Sequence, residues 1–451
     1  MDKILKLIKK VIPKPIFRFI QPYYHFFMAF TGNIVYRFPG YKMTVIGVTG
    51  TNGKSTTADI LCGVLKASGE KVGMISTVSI EIAGRRIDNV TDRTTLGRWK
   101  THKLLRQMAN AGCKYAVVEV ASEGIAWYRI WGIPFDAAIF TNLTPEHLNY
   151  HKTMENYKNT KGKLFKKLKS SYNWKKTKRV SVVNADDTDA NYFFGFKADE
   201  KYAYEIPSRT ARAKRKGCEC SHVVKAMNIV LSSDGTDYDI STENHNYHVR
   251  TGALGKFNVY NELAAFCVGW GYGIDPEKMV KVLAEFKGTK GRAEKIEKGQ
   301  NFDLIIDYAV TPDAQEALYS SLKKISKGKL ISVFGATGDR DRAKRPEMGK
   351  VAAELTDVVI ITDDETYTED SKKIIEEVYA GVPESLKSQV KKIPDRLDAI
   401  KEAMSLAKKG DTVVVTGIGH QKSRNMGGKK ITWDERQILA GLLKERKSAK
   451  K

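Results

Sequence analysis

Gly50-Thr-Asn-Gly-Lys-Ser-Thr56 is the densest cluster of chemistry-bearing residues in this 451-residue chain. A glycine-rich turn between a strand and a helix offers backbone N–H groups and the positive end of the helix dipole to an anion. Lys54 is spaced to bridge β- and γ-phosphates and the Ser55 hydroxyl to ligate Mg2+, which points to nucleotide binding. The strict phosphate-loop pattern is not met, because Val48 stands where its first glycine belongs; the bland alternative is a chance glycine turn. Glu119 closes a short apolar run, and His147 closes Thr141-Asn-Leu-Thr-Pro-Glu-His147. At the ends of parallel strands, where α/β sheets bind ligands, a carboxylate and an imidazole complete a Mg2+ or water shell. Singly, each reads as a structural polar residue; beside a phosphate loop, the functional reading prevails.

These residues need elements to hold them. From residue 43 onward short β-rich runs alternate with helical patterns, the signature of α/β domains with largely parallel sheets. The pattern predicts strands at 42–48, 115–120, 137–141 and 180–184, with a helix at 55–67 behind the phosphate loop. Aromatic alternation in the polar stretch 201–250, around 238–240 and 247–249, predicts hairpins, and helices fill 258–286. A second α/β series comes next, with strands at 302–308, 330–334, 358–362 and 412–416. The domain boundary is expected near 288–292, dividing the chain into 1–42, 43–289 and 290–451.

Lys and Arg number 76 against 52 Asp and Glu, a net charge of +24, so an anionic partner is expected. Residues 158–179 hold ten basic and no acidic side chains, which reads as a solvated face. Nucleic acid is not expected, since no reader motif accompanies the charge. Five scattered cysteines fit a reducing compartment without a disulfide framework, and Cys218-x-Cys220 lacks the second pair of a zinc site. In residues 2–12, aliphatic side chains gather on one side of a helix and Lys3, Lys6, Lys9 and Lys10 on the other. Residues 19–36 are uncharged and aromatic, yet Gln21, Pro22, His25 and Asn33 make them a poor spanning helix. Such a start suits peripheral contact with a membrane interface through residues 1–36; the alternative is docking on the protein's own core.

Taken in order, the motifs resemble the Mur ligases, the ATP-dependent enzymes that build the peptide of bacterial cell-wall precursors. The resemblance runs over nearly all of 43–451. It rests on Gly50–Thr56, Glu119-Val-Ala-Ser122, Phe140-Thr-Asn-Leu143 with His147, and Val183-Asn-Ala-Asp-Asp187. It continues through Gly255-Lys-Phe-Asn-Val-Tyr-Asn261, Gly291-Arg-Ala-Glu294, Asp307-Tyr-Ala-Val-Thr-Pro-Asp313, and Gly338-Asp-Arg-Asp341 with Lys344-Arg-Pro346. The last three and Gly427-Gly-Lys-Lys430 look most like the MurE branch, which adds the third amino acid to a UDP-N-acetylmuramoyl dipeptide.

The resemblance implies a P-loop ATPase central domain and a Rossmann-like carboxy-terminal domain. It implies that ATP activates a muramyl-peptide carboxylate as an acyl phosphate, which an amino acid then attacks. By similarity, Gly50, Thr51, Asn52, Gly53, Lys54, Ser55 and Thr56 cradle the phosphates, while Ser55, Glu119, His147 and Lys161 hold metal and phosphate. Asn258 and Asn261 would lie at the adenine side, and Arg292, Asp307, Asp339 and Arg340 would meet the nucleotide from the second domain. Thr94, Thr95 and Arg129 would contact the sugar-peptide. Lys161 aligns with the family lysine that is carbamylated, a change that turns a cation beside Mg2+ into an anionic ligand. A cytoplasmic monomer is implied, at the inner face of the membrane should the start bind lipid.

Departures from the family pattern bear on both substrates. About 42 residues precede the ATPase domain, fewer than the usual UDP-binding domain needs. Ala121 replaces a family serine, Trp127 a glutamine and Val310 a histidine. The motif that selects the amino acid, Asp-Asn-Pro-Arg in diaminopimelate-adding enzymes, reads Asp364-Glu-Thr-Tyr367, and Gln421 stands where that subgroup has glutamate. Two alternatives remain: amidation of a lipid-linked muramyl peptide, as in the MurT subgroup, and a non-catalytic ATP-binding sensor of precursors.

Overall fold

The computed structural model describes residues 14–91, 93–170, 176–207 and 220–448. The amphipathic stretch 2–12 and Cys218 lie outside the described residues. Cys62, Cys113 and Cys267 are free thiols.

Two sheets organise the chain. The first has eleven strands, with Thr44–Thr49 near its middle, between Tyr115–Glu119 and Ala137–Phe140 and parallel to both. Parallel pairing continues outward to Val72–Ile75 on one side and through Val180–Asn184, Glu200–Glu205 and His222–Ser232 on the other. Strands buried on both faces read as unbroken apolar runs, which is why 180–184 coincides with the sequence expectation. The polar stretch forms the expected hairpins, Gly235–Ser241 pairing antiparallel with His222–Ser232 and with Asn246–Thr251. At the other edge Ser79–Ile82 and Arg85–Asp88 add an antiparallel meander. The second is exposed on every residue, so no apolar pattern announces it.

Helices cover both faces. Lys54–Lys66, Lys256–Gly271 and Pro276–Glu285 share one core with the sheet, and Arg98–Asn110, Met154–Ser170 and Ala190–Phe194 contribute to the other. Lys256–Gly271 buries nearly every residue, Leu263, Phe266 and Val268 among them, because it packs on the sheet and is flanked there by the helices Lys54–Lys66 and Pro276–Glu285.

The second sheet has six strands, of which Asp303–Asp307, Thr412–Thr416, Leu330–Phe334, Val358–Ile361 and Val390–Lys392 run parallel. Pro312–Ile325, Lys344–Leu355 and Ser371–Tyr379 pack on one face, Arg396–Leu406 and Glu435–Ser448 on the other. Gly427 and Gly428, with φ of 58° and 77°, form the turn of a small hairpin between Ser423–Met426 and Lys429–Thr432.

The uncharged aromatic segment belongs to the helix Lys14–Val35, which runs through Pro22 and packs on Arg98–Asn110. Among the described residues no helix is long and apolar enough to cross a membrane.

Candidate active site

In the first sheet the carboxyl ends of four neighbouring strands converge: Gly50 follows one, Glu119 ends the next, Thr141 follows a third and Ser76-Thr77 a fourth. In the second sheet Asp307 ends its strand beside Thr416. The two carboxyl edges face one cleft of about 860 Å³, the arrangement in which α/β sheets bind ligands.

The phosphate loop is shaped by close approach. A Cβ on Gly50 would come within 1.9 Å of Thr141 Oγ1, and one on Gly53, where φ is 83°, within 2.4 Å of Asn261 Oδ1. Behind Gly53 the helix Lys54–Lys66 begins without a side-chain cap, leaving its first N–H groups for an anion. Lys54 Nζ donates to Thr51 O at 2.6 Å. Burial lowers its pKa, Arg292 adds to this and Glu119 opposes it.

Glu119 is buried and fully engaged. Its carboxylate accepts from Ser55 Oγ at 3.0 and 3.1 Å, from Thr77 N at 2.7 Å and from Thr77 Oγ1 at 2.9 Å. Thr77 Oγ1 also lies 3.0 Å from Thr94 Oγ1. Thr77 is not legible in the sequence, since the four-residue strand before it carries too little periodicity to mark the turn at its end. Thr95 Oγ1 accepts from Ala121 N at 2.9 Å, and Arg129 Nη1 donates to Thr95 O at 2.8 Å.

His147 has φ of 56°, and burial with Lys161, Lys54 and Lys344 nearby pushes its pKa down to about 3, so the imidazole is neutral at ordinary pH. Lys161 sits behind the loop rather than on the cleft wall. Its Nζ donates to Gly50 O at 2.7 Å and lies 4.3 Å from the centre of the Tyr157 ring. Burial holds its pKa well below the ordinary lysine value. In the basic run Lys163, Lys166, Lys169, Lys176 and Lys178 are exposed, whereas Arg179 is buried and pairs with the buried Asp136. Lys161 shares the buried face of its helix with Tyr157, Leu164, Phe165 and Leu168. That helical spacing is the sequence signal that sets it apart from its basic neighbours.

From the second sheet, Asp307 Oδ2 accepts from Ala293 N at 2.6 Å, and burial raises its carboxyl to about 6 against the pull of Arg292. The Arg292 guanidinium lies over the Tyr308 ring, and that of Arg340 over Tyr367. Lys54, Ser55, Glu119, His147, Thr94, Thr95, Arg129, Asn261, Arg292, Asp307 and Arg340 line the cleft, with Thr51, Asn52, Gly53 and Thr56. Gly50, Lys161, Asn258 and Asp339 do not. Asn258 is buried, donating to Leu254 O and accepting from Asn261 Nδ2. The Asp339 carboxylate accepts from the Thr368 hydroxyl at 2.8 and 3.0 Å.

The sequence profile of the Mur ligase middle domain matches residues 48–269, and that of the Mur ligase glutamate ligase domain residues 291–419. UDP-N-acetylmuramoyl-L-alanyl-D-glutamate–2,6-diaminopimelate ligase 1 of Clostridium acetobutylicum is 35% identical over 420 residues, 93% of this chain and 82% of that protein. The chain belongs to the Mur ligase family. UDP-N-acetylmuramyl-tripeptide synthetase of a Roseiflexus species is 36% identical over 90% of this chain and 80% of its own length. A solved diaminopimelate ligase of the same type superposes with a TM-score of 0.60 at 27% identity, over 90% of this chain and 79% of that one. MurF ligase from Thermotoga maritima, solved with ADP, shares the fold at 18% identity and a TM-score of 0.66, over 93% and 85% of the two chains. This Mur ligase is accordingly an ATP-dependent ligase of peptidoglycan-precursor synthesis.

The departures fall unevenly on this ligase. Asp364 is buried and turned from the cleft toward Arg396 and Arg424, close against Gly417. Glu365 and Tyr367 line the cleft with Val310, His420 and Gln421. Glu365 accepts from Asn425 N at 3.0 Å, and Tyr367 OH lies 3.4 Å from Glu365 Oε2.

Proposed function

We propose that this ligase joins an amino acid to the terminal carboxylate of a UDP-N-acetylmuramoyl dipeptide, as its MurE-type relatives are named for doing. A carboxylate alone is a poor electrophile, because oxide would have to leave. Transfer of the γ-phosphoryl group from ATP makes a bond from phosphorus to a carboxylate oxygen and breaks the bond to ADP. The amine then attacks the carbonyl carbon and gives up a proton, phosphate departs and the amide closes. The observation that carries this reading is that Lys54, Ser55 and Glu119 face Arg292, Asp307 and Arg340 across one cleft. Lys54 would meet the charge on the transferring oxygens, and Arg292, Asp307 and Arg340 the nucleotide from the other lobe.

The oxygens of Ser55 and Glu119, with the neutral His147 lining the same cleft, fit a hard divalent cation held partly by substrate phosphates. Mg2+ bound there would offset negative charge in the transfer. Among the described residues no three His, Cys, Asp or Glu side chains gather into a closed metal site, which agrees with a cation that arrives with nucleotide. Burial holds the Lys161 ammonium well below its ordinary pKa and so favours the amine, which with CO2 would give a carbamate and a released proton, an anion suited to that cation. Glu365, where the diaminopimelate motif differs, favours an incoming side chain without a second carboxylate.

The test is phosphate release from ATP with UDP-muramyl dipeptide and a panel including lysine, ornithine and diaminopimelate. Release that requires both partners is the expected result. Release only with glutamine and a partner protein means amidation, and ATP binding without release means a sensor. Diaminopimelate turning over fastest overturns the reading of Glu365.

A further inference from the structure

The helix Lys14–Val35 docks by one face. Ala29 and Asn33 are buried, Asn33 Nδ2 donating to Trp131 O at 2.9 Å and lying 3.1 Å from His102 Nε2. The His25 ring stands edge-on to Trp127 at 4.7 Å. Arg106 fastens the far end through Tyr36 O and Arg37 O, both at 2.8 Å. The opposite face is apolar and open: Ile20, Tyr23, Phe27, Phe30 and Ile34 are 46, 65, 59, 39 and 47% exposed. Their spacing of three and four residues lines them along one side of the helix. An aromatic stripe this long is not the scattered apolar exposure of an ordinary surface.

Along the sequence, the charge flanking the stripe has one sign. Residues 3–42 hold eight Lys and Arg, and no Asp or Glu occurs from residue 3 to residue 58. A second copy docked stripe to stripe would bring two such basic segments together, with repulsion between them. An anionic lipid surface instead offers headgroup charge to the cations and an acyl boundary to the aromatic rings.

We propose that this stripe is the docking face for an anionic phospholipid bilayer, with the helix lying in the plane of the interface. The helix's other face touches Trp127 and Trp131, which flank Arg129 on the cleft wall. Lipid contact would therefore bring that end of the cleft beside the bilayer. The inference is independent of which muramyl peptide the ligase uses.

The experiment is flotation of the full-length protein with phosphatidylglycerol–phosphatidylcholine vesicles. The expected result is flotation that drops about tenfold on pure phosphatidylcholine and is weakened by salt, as electrostatic capture requires. The double variant Phe27→Ser, Ile34→Ser should lose about tenfold in bound fraction, while its melting temperature and vesicle-free ATP turnover stay at the parent values. Tyr23→Ser, at the most exposed position of the stripe, should shift the same way if the double variant melts early. No flotation on the anionic vesicles overturns the proposal, as does flotation unchanged in these variants. A dimer that the Phe27 and Ile34 substitutions dissolve, seen by sedimentation, overturns it in favour of a second copy.

Discussion

Lys344, the first residue of the helix Lys344–Leu355 in the second lobe, reaches Glu146 of the first lobe with Nζ 3.5 Å from Oε1. The pair is largely shielded from solvent and adjoins His147, so it ties the lobes together at the cleft itself. Lys344→Ala leaves Glu146 without its partner and loosens closure of the lobes. The expected effect is a fall in kcat/KM of about tenfold, about 1.4 kcal/mol of transition-state stabilisation. The swap Lys344→Glu with Glu146→Lys should recover part of it; equal loss in the swap would mean that the lysine acts on its own.

Thr77 is the second test. Thr77→Val keeps the shape and the backbone bond to Glu119 but removes the hydroxyl that touches Glu119 and Thr94. Freed at one side, the carboxylate loses its fixed direction toward Ser55. ATP-dependent turnover should drop about tenfold, with unfolding free energy changed by about 1 kcal/mol. Steady-state kinetics alongside thermal melts separate the two effects.

Lys161→Ala addresses the carbamate. Turnover should fall roughly a hundredfold or more, since the variant lacks the anion that the metal site would use. Added formate or acetate should restore part of it by standing where the carbamate stood. A cooperatively melting variant with no rescue at any concentration removes Lys161 from this role.

Buried Glu262 makes stability depend on pH. Its carboxylate accepts from Tyr238 OH at 2.6 Å, and burial pushes its pKa from the ordinary 4.5 to about 7. The folded chain thus holds a proton there that the unfolded chain has released, so stability falls as pH rises through that window. Glu262→Gln keeps the volume and removes the titration. Relative to the variant, the parent should lose on the order of 3 kcal/mol between about pH 4.5 and pH 8, read from denaturant melts. Parallel curves across the range would refute the assignment.

Acid should destabilise the fold through the buried His102 and His151 and the partly buried His147 and His420. Burial lowers His102 and His151 to about 4, and His147 and His420 to about 3. Each stays neutral in the fold where the unfolded chain takes up a proton, so stability is lost as pH falls from about 6.5 toward 4. Melting temperatures measured over that window check the direction.

Much of the fold was legible in the sequence for a simple reason. Parallel strands such as Leu330–Phe334 and Thr412–Thr416 are buried on both faces, so they appear as apolar runs whose ends match the observed ones. Arg85–Asp88 lies at a sheet edge with all four side chains exposed, and pattern reading has nothing to detect there. The phosphate loop was legible because its chemistry is local, seven consecutive residues with two glycines where no Cβ fits. The aromatic helix was legible in composition but not in placement. Whether it met lipid or the protein's own core depended on faces that a linear pattern does not assign, and it buries one while exposing the other.

The order of residues alone determined the alternation of strands and helices, the anion-binding turn and the family motifs, because each depends on neighbours within a few positions. Only the tertiary structure decided that Lys161 turns inward to Gly50, that Thr77 braces Glu119, and that Lys344 meets Glu146. Those pairings join positions 42 to 198 residues apart. They exist because two sheets fold with their carboxyl edges toward a common cleft, and that packing is a property of the whole chain rather than of any segment.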